Sequence, residues 1–255
     1  MSAIDNPYKM LQRDYLLSIM TAPNAGAHNA VFRGKALGGK VTDAQWAALA
    51  AGTFEDLYIG DYWTISGVNW RLAAFNCSRG LGDTYLPGNH AAVVPDSNLY
   101  ETSMNAQNTT VDGYVGTSMY KSGLNDAKAT IKAAFGEHIV KHRIPLTTAS
   151  SNGVASADAF YDSEVELMCL SMVFGTGAFA PVSMGAVVPK IPAETTQLPL
   201  FRLAPQHIRS DDGRSYALRD IITDTRFAYV SYTGAPDYYS LPGNAFGVRP
   251  YFLIG

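Results

Sequence analysis

The sequence predicts an α+β fold of short antiparallel strands, two helices and long loops, preceded by a short helical N-terminal segment. Three observations carry this. Runs of branched and aromatic residues bounded by turn residues recur at 58–65, 68–75, 90–95, 137–145, 197–203, 226–230 and 245–254, the pattern of short strands. Two longer windows, 125–135 and 162–175, repeat their apolar residues at helical spacing. Between them, 105–114, 150–157 and 178–196 have no period and are rich in polar residues, Gly or Pro, as connecting loops are.

Taken in order, residues 8–20 place Tyr8, Leu11, Tyr15, Leu16, Ile19 and Met20 on one helical stripe, with Lys9, Gln12, Arg13 and Asp14 largely opposite. A breaker-rich connector, 21–29, follows. Thr42 then caps a helix, and Gln45 three residues on completes a capping box. We expect residues 1–53 to form an N-terminal helical segment for attachment or oligomerisation, and 54–255 to form the main domain.

The main domain opens with a hairpin, 61–65 and 68–75 around the turn Ser66-Gly67. Trp63 and Trp70 offer a sugar-stacking platform on paper, but large aromatics at strand spacing are expected in the core. The helix over 125–135 carries Ala127, Ile131, Ala134 and Phe135 on one face and closes at Gly136. His138 and His142 have a metal-compatible spacing on a helix, yet 137–145 reads as a strand, and no metal is expected. The second helix, 162–175, buries Val165, Met168, Cys169 and Met172, with Asp162 and Ser163 at its start and Gly175 at its end. Glu164 and Glu166 then belong to a solvated helix start and not to a catalytic carboxylate pair. Pro181, Pro189 and Pro192 make 178–196 irregular, and Asp211-Asp212-Gly213-Arg214 is an acidic turn.

Composition excludes several classes of function. At 255 residues the chain can bury a sizeable core. A net charge of −3 with 16% charged residues and no Lys/Arg run leaves nothing to neutralise a phosphate backbone, so nucleic acid is not an expected partner. Gly-x-Ser-x-Gly, His-Glu-x-x-His, Gly-Lys-Ser/Thr and Cys-x-x-Cys are all missing, so neither catalytic residues nor a cofactor are expected. Cys77 and Cys169 lie far apart in unlike segments and are expected as buried thiols. The N-terminus lacks a basic region before an apolar core, and no apolar run is long enough to cross a bilayer. That predicts a chain made in a cytoplasm without membrane insertion.

Between the strands at 226–230 and 245–254 lies a stretch of different character. Residues 231–244 contain Tyr, Ser, Thr, Gly, Ala, Pro, Asp, Leu and Asn but no Lys, Glu, Gln, Met or Trp. Tyr gives a large amphipathic contact surface at low rotamer cost, and Ser, Gly and Asn give adaptable hydrogen bonds, the composition of recognition loops. Tyr229, Ser231, Tyr232, Thr233, Asp237, Tyr238, Tyr239, Ser240 and Asn244 are the candidate ligand-binding residues. Arg219 and Arg249 flank the stretch and are expected as buried clamps tying carbonyls beneath it.

These residues carry a resemblance. Tyr216-Ala217-Leu218-Arg219-Asp220, the Tyr-rich loop and Gly247-Val248-Arg249-Pro250-Tyr251-Phe252 resemble a domain family of gut-bacterial phages and prophages. Ile59-Gly60-Asp61-Tyr62-Trp63-Thr64-Ile65 and Val68-Asn69-Trp70-Arg71 belong to the same pattern. The family is similar to the C-type-lectin-like phage tropism determinants, the variable proteins of diversity-generating retroelements. The likeness covers about 54–255, and departs where the family's Trp-Leu-Arg is Tyr216-Ala217-Leu218-Arg219. It implies a C-type-lectin-like domain and a non-enzymatic receptor-binding or host-attachment adhesin of a virion. The implied partners are a host-cell surface glycan or protein at the loop, other virion proteins through residues 1–53, and further copies of the chain, such as a trimer. It also implies randomisation of adenines in Asn codons, a process that never yields Lys, Glu, Gln, Met or Trp, and Tyr229 and 231–244 obey this. A structural virion component, such as a head fibre or capsid decoration, stays open as the alternative. The Glu-Pro-Asn and Trp-Asn-Asp motifs of calcium-dependent lectins are missing, and so is the cysteine context of formylglycine-generating oxidases.

Overall fold

A computed structural model describes residues 25–79, 83–176, 197–239 and 244–255. The helix expected over 8–20, the irregular segment 178–196 and Ser240 lie outside the described residues. The capping box forms as read. Strand β1 (Ala36–Gly38) is followed by helix α1 (Asp43–Ala51), whose Gln45 N donates to Thr42 Oγ1 at 3.3 Å while Thr42 N donates to Gln45 Oε1 at 3.0 Å. Strands β2 (Tyr62–Ile65) and β3 (Val68–Phe75) pair across Ser66-Gly67, both at positive φ, a turn whose twist matches that of the strands. Strand β4 (Ala91–Pro95) is buried throughout, and β5 (Glu101–Ser103) follows. Helix α2 (Asn125–Phe135) turns Ala127, Ile131 and Phe135 inward and closes at Gly136, as expected.

From here the chain departs from the sequence reading in several places. Residues 137–145 are not one strand: a 3-10 turn, Gly136–His138, precedes β6 (His142–Ser151). The expected loop at 150–157 is the turn of a long ribbon in which β6 pairs with β7 (Val154–Ser163). Asn152 and Gly153 both have positive φ there, the geometry an Asn-Gly pair supplies. The expected helix over 162–175 is strand in its first half and helical only toward its end. Residues Val165–Leu167 form β8, paired with the last strand, and only α3 (Leu170–Phe174) is helical. The four apolar residues expected on its buried face, Val165, Met168, Cys169 and Met172, are buried, but only Met172 lies in the helix, and Val165 is buried through sheet pairing that local periodicity does not register. Residues 197–203 form no strand: Pro199 opens helix α4 (Pro199–Leu203), at the position where proline's missing N–H costs nothing.

The C-terminal region contains β9 (Tyr216–Thr223), β10 (Arg226–Val230), β11 (Pro236–Tyr239), β12 (Ala245–Gly247) and β13 (Pro250–Ile254). Residues 245–254 are therefore two strands and not one closing strand. They lie in different sheets, because Pro250 lacks a ladder N–H and Arg249 is turned wholly inward between them.

One sheet has the order β1-β2-β3-β4-β13-β8, the other β11-β10-β9-β12-β5, and β6-β7 stands as a separate ribbon. The architecture is α+β, with more strand than helix. Trp63 and Trp70 are both fully buried, as expected. Trp70, Phe135 and Phe252 pack ring against ring at 5.1–5.6 Å, joining α2 to the six-stranded sheet. Strand β1 extends that sheet and Leu49 of α1 sits in the same core. Residues 25–53 are thus built into the body, and the boundary drawn after Thr53 separates no second core among the described residues.

Candidate functional site

The Tyr-rich stretch begins as a β-hairpin and not as an irregular loop. Strands β10 and β11 pair antiparallel with Tyr229 opposite Asp237 and Ala228 opposite Tyr238. The Tyr229 hydroxyl donates to Asp237 Oδ2 at 2.9 Å. Burial first, and then Asp237, push the Tyr229 phenol up to about 12. At the turn, Ser231 N donates to Ala235 O at 2.9 Å, Gly234 N to Ser231 O at 2.8 Å and Ala235 N to Ser231 Oγ at 3.1 Å. Ser231 Oγ also meets Thr233 Oγ1 at 2.7 Å.

The predicted site residues therefore separate into a frame and a face. Ser231 is buried and brackets the turn, and Tyr229 is half-buried with its ring 4.8 Å from Phe246. Both belong to the frame, not to the contact surface. Tyr232 at the tip is 66% exposed and Tyr238 is 40% exposed. Thr233 is exposed, Asp237 is half-buried, and Tyr239 pairs with Phe227 through the backbone. Asn244 is exposed but precedes β12, which β9 separates from the hairpin.

Sequence reasoning missed three residues that hold this hairpin. The Arg226 guanidinium lies 5.1 Å from the centre of the Tyr238 ring, a cation–π contact on the diagonal of the β10–β11 register. Arg209 packs under Gly234, where an added Cβ would sit 2.8 Å from its Cγ. Tyr216, buried on β9, donates to Ile208 O at 2.8 Å. The expected clamp Arg249 completes the support. It is fully buried and donates to Pro95 O at 2.8 Å, Ile208 O at 3.0 Å and Arg209 O at 3.2 Å, so it ties the segment beneath the turn to β4. Arg219, the other clamp, is buried and donates to Leu167 O at 3.1 Å.

No protein-family model, curated protein or solved structure matches the chain. The site must be read from its own geometry. The sheet edge presents the Tyr232 and Tyr238 rings and the Thr233 side chain outward, while the half-buried Asp237 accepts from Tyr229 and from Tyr238 N, a set suited to stacking and hydrogen bonding. Two other places carry titratable groups. Glu166, expected in a solvated helix start, is buried on β8, with Ser163 Oγ donating to Oε1 at 2.7 Å and Tyr114 OH to Oε2 at 2.9 Å. Burial raises its carboxyl above the usual range. It floors a cavity of about 250 Å³ beside Lys128 and Lys141, but both of its oxygens already serve donors of the fold. His138 and His142 do not share a helix: His138 stacks on Trp46 at 3.7 Å, and His142 is buried facing Tyr251. No group of three metal-ligating side chains comes together among the described residues. Neither Cys77, half-buried, nor the buried Cys169 is in a disulfide.

Proposed function

We propose that this chain is a recognition protein without catalytic activity, a receptor-binding adhesin of a phage particle that uses the β10–β11 hairpin as its contact surface. The observation that carries the reading is the division of labour in the hairpin. Tyr232 and Tyr238 face solvent at 66% and 40% exposure, whereas beneath them Tyr229 and Ser231 are held by partly buried hydrogen bonds and Arg249 by a buried one. Pre-organised aromatic contacts on a fixed base bind with little ordering cost. The composition of 231–244, free of Lys, Glu, Gln, Met and Trp, supports diversification of this surface by codon randomisation, and with it a C-type-lectin-like domain. The expected ligand is a host-surface glycan or protein. A single hairpin binds weakly, and copies joined through the N-terminal segment would supply avidity.

The test is a host-cell pull-down and glycan array with intact chain and a Tyr232→Ala/Tyr238→Ala variant. Tyr232 lies outside the core and Tyr238 loses its contact with the Arg226 guanidinium, so the variant should unfold within about 1 kcal/mol of the parent. Loss of binding by a folded variant supports the adhesin. Equal binding by both sinks it, and a protein that decorates particles without binding cells is the structural virion component instead.

A further inference from the structure

A groove of about 370 Å³ opens between the Ser66-Gly67 turn and the segment leaving β4, a volume in the range of small-molecule sites. Val68, Asn69, Asp96, Ser97, Leu99 and Asp211 are among the residues lining it. Asp96 is 3% exposed, and both of its oxygens are held by Arg71, at 2.6 and 2.5 Å. Its charge is therefore neutralised inside the wall. Other polar groups of the lining are unused. Thr64 donates to Asn69 Oδ1 at 2.7 Å, and Asn69 Nδ2 has no acceptor among the described residues. The Ser97 hydroxyl and the Asp211 carboxylate likewise have no hydrogen-bond partner among the described residues. One amide donor, one hydroxyl that both donates and accepts, and one carboxylate thus stand unpaired around two aliphatic side chains, Val68 and Leu99, while Thr130 and Asn98, also in the lining, already donate to Asp126 O and to Asp212 and Ser215 O.

We propose that this groove binds a neutral polyhydroxylated ligand, one or two sugar rings. Neighbouring hydroxyls of such a ring donate to a carboxylate and accept from an amide, while its C–H face packs on aliphatic carbon. An anion would meet Asp211 with no Lys or Arg lining the groove, and an ammonium ligand would leave Asn69 Nδ2 facing another donor. The groove and the hairpin share a support. Arg209 lies under Gly234, Ser210 Oγ accepts from Asn98 N at 3.0 Å, and Asp211 N donates to Asp96 O at 3.0 Å. A glycan long enough would touch both, but the groove's ligand class does not depend on what the hairpin binds.

The experiment is an amide-shift titration of the isotope-labelled full chain with maltose and the methyl glycosides of glucose, galactose and mannose, and separately with glucosamine and glucuronate. At least one neutral sugar should give saturating shifts at Gly67, Ser97, Asn98 and Asp211, with an affinity on the order of millimolar for a ligand this small. Asp211→Ala keeps the backbone bond to Asp96 and should weaken binding about tenfold. Tyr232→Ala/Tyr238→Ala should leave these shifts unchanged, which separates the groove from the hairpin. No saturable shift with any neutral sugar, or shifts with glucosamine or glucuronate alone, would overturn the proposal.

Discussion

Tyr229 on β10 and Asp237 on β11 face each other directly across the hairpin register, and the phenol donates to the carboxylate at 2.9 Å. This bond ties the half-buried base of the hairpin to the strand that carries Tyr238. Tyr229→Phe keeps the ring contact with Phe246 and removes only the bond, so it should cost about 1 kcal/mol in chemical denaturation. The phenol, pushed up to about 12, stays neutral in the fold while the unfolded chain ionises near 10. Its contribution is whole below pH 10 and is lost as pH rises toward 12. Ultraviolet titration of parent against variant should show one missing ionisation near 12; a missing step near 10 would contradict the coupling.

Arg249 should be the least replaceable residue near the site. Lysine retains the charge but not the fork that reaches Pro95 O, Ile208 O and Arg209 O. Arg249→Lys should destabilise by about 3 kcal/mol or more. Amide exchange should rise at 208–211 and in the turn 231–235 while α1 stays protected. Uniform loosening, or none, would show that Arg249 does not specifically hold the turn.

Gln45 Oε1 serves two donors, Thr42 N at 3.0 Å and Trp63 Nε1 at 3.0 Å. Gln45→Ala opens the capping box and leaves a buried indole N–H without an acceptor, so about 2 kcal/mol should be lost. Gln45→Glu still accepts both bonds and should lose less. Equal losses in urea unfolding would mean that the shared oxygen is not the cause.

Two buried histidines set an acid limit on stability. His90 Nε2 accepts from Ser78 N at 3.1 Å while Nδ1 donates to Gly88 O at 3.1 Å, an arrangement that needs the neutral ring. Burial pushes His90 and His142 down to about 4, whereas the unfolded chain protonates near 6.5. Stability should therefore fall as pH drops from about 6.5 toward 4, by up to about 3 kcal/mol per histidine. Burial raises the carboxyls of Glu166 and Asp220, and their opposite sign partly offsets the loss as they take up protons. A His142→Phe variant should show a shallower decline in unfolding free energy across this window. An unchanged slope would rule out a part for His142.

Local chemistry was legible where one segment decides its own shape. Thr42 with Gln45, Ser66-Gly67 and the helical face of 125–135 each encode an element through neighbours in sequence. The window 162–175 was not, because Val165, Met168, Cys169 and Met172 satisfy helical spacing and are buried all the same, and only pairing with β13 makes Val165 to Leu167 a strand. Asn152-Gly153 carried a hairpin signal that small polar neighbours masked. In the site, Tyr232 and Tyr238 were legible as surface aromatics. The inward turn of Tyr229 and Ser231 was not, since it depends on which face of β10 meets Phe246 and on how the turn closes. Arg226 over Tyr238 requires a cross-strand register, and the groove is assembled from residues some 140 positions apart in sequence, from Gly67 to Asp211.

Strand β13, fully buried, lies between β4 and the edge strand β8, although it is built from residues 250–254. A ribosome delivers it after both of the strands it joins. Until then the nascent chain has β4 and β8 with bare backbone edges, and Trp70 and Phe135 lack the ring of Phe252. Such edges pair with whatever strand is nearest. A chain that stops before Pro250 would therefore keep the β4 and β8 edges open and be prone to aggregate.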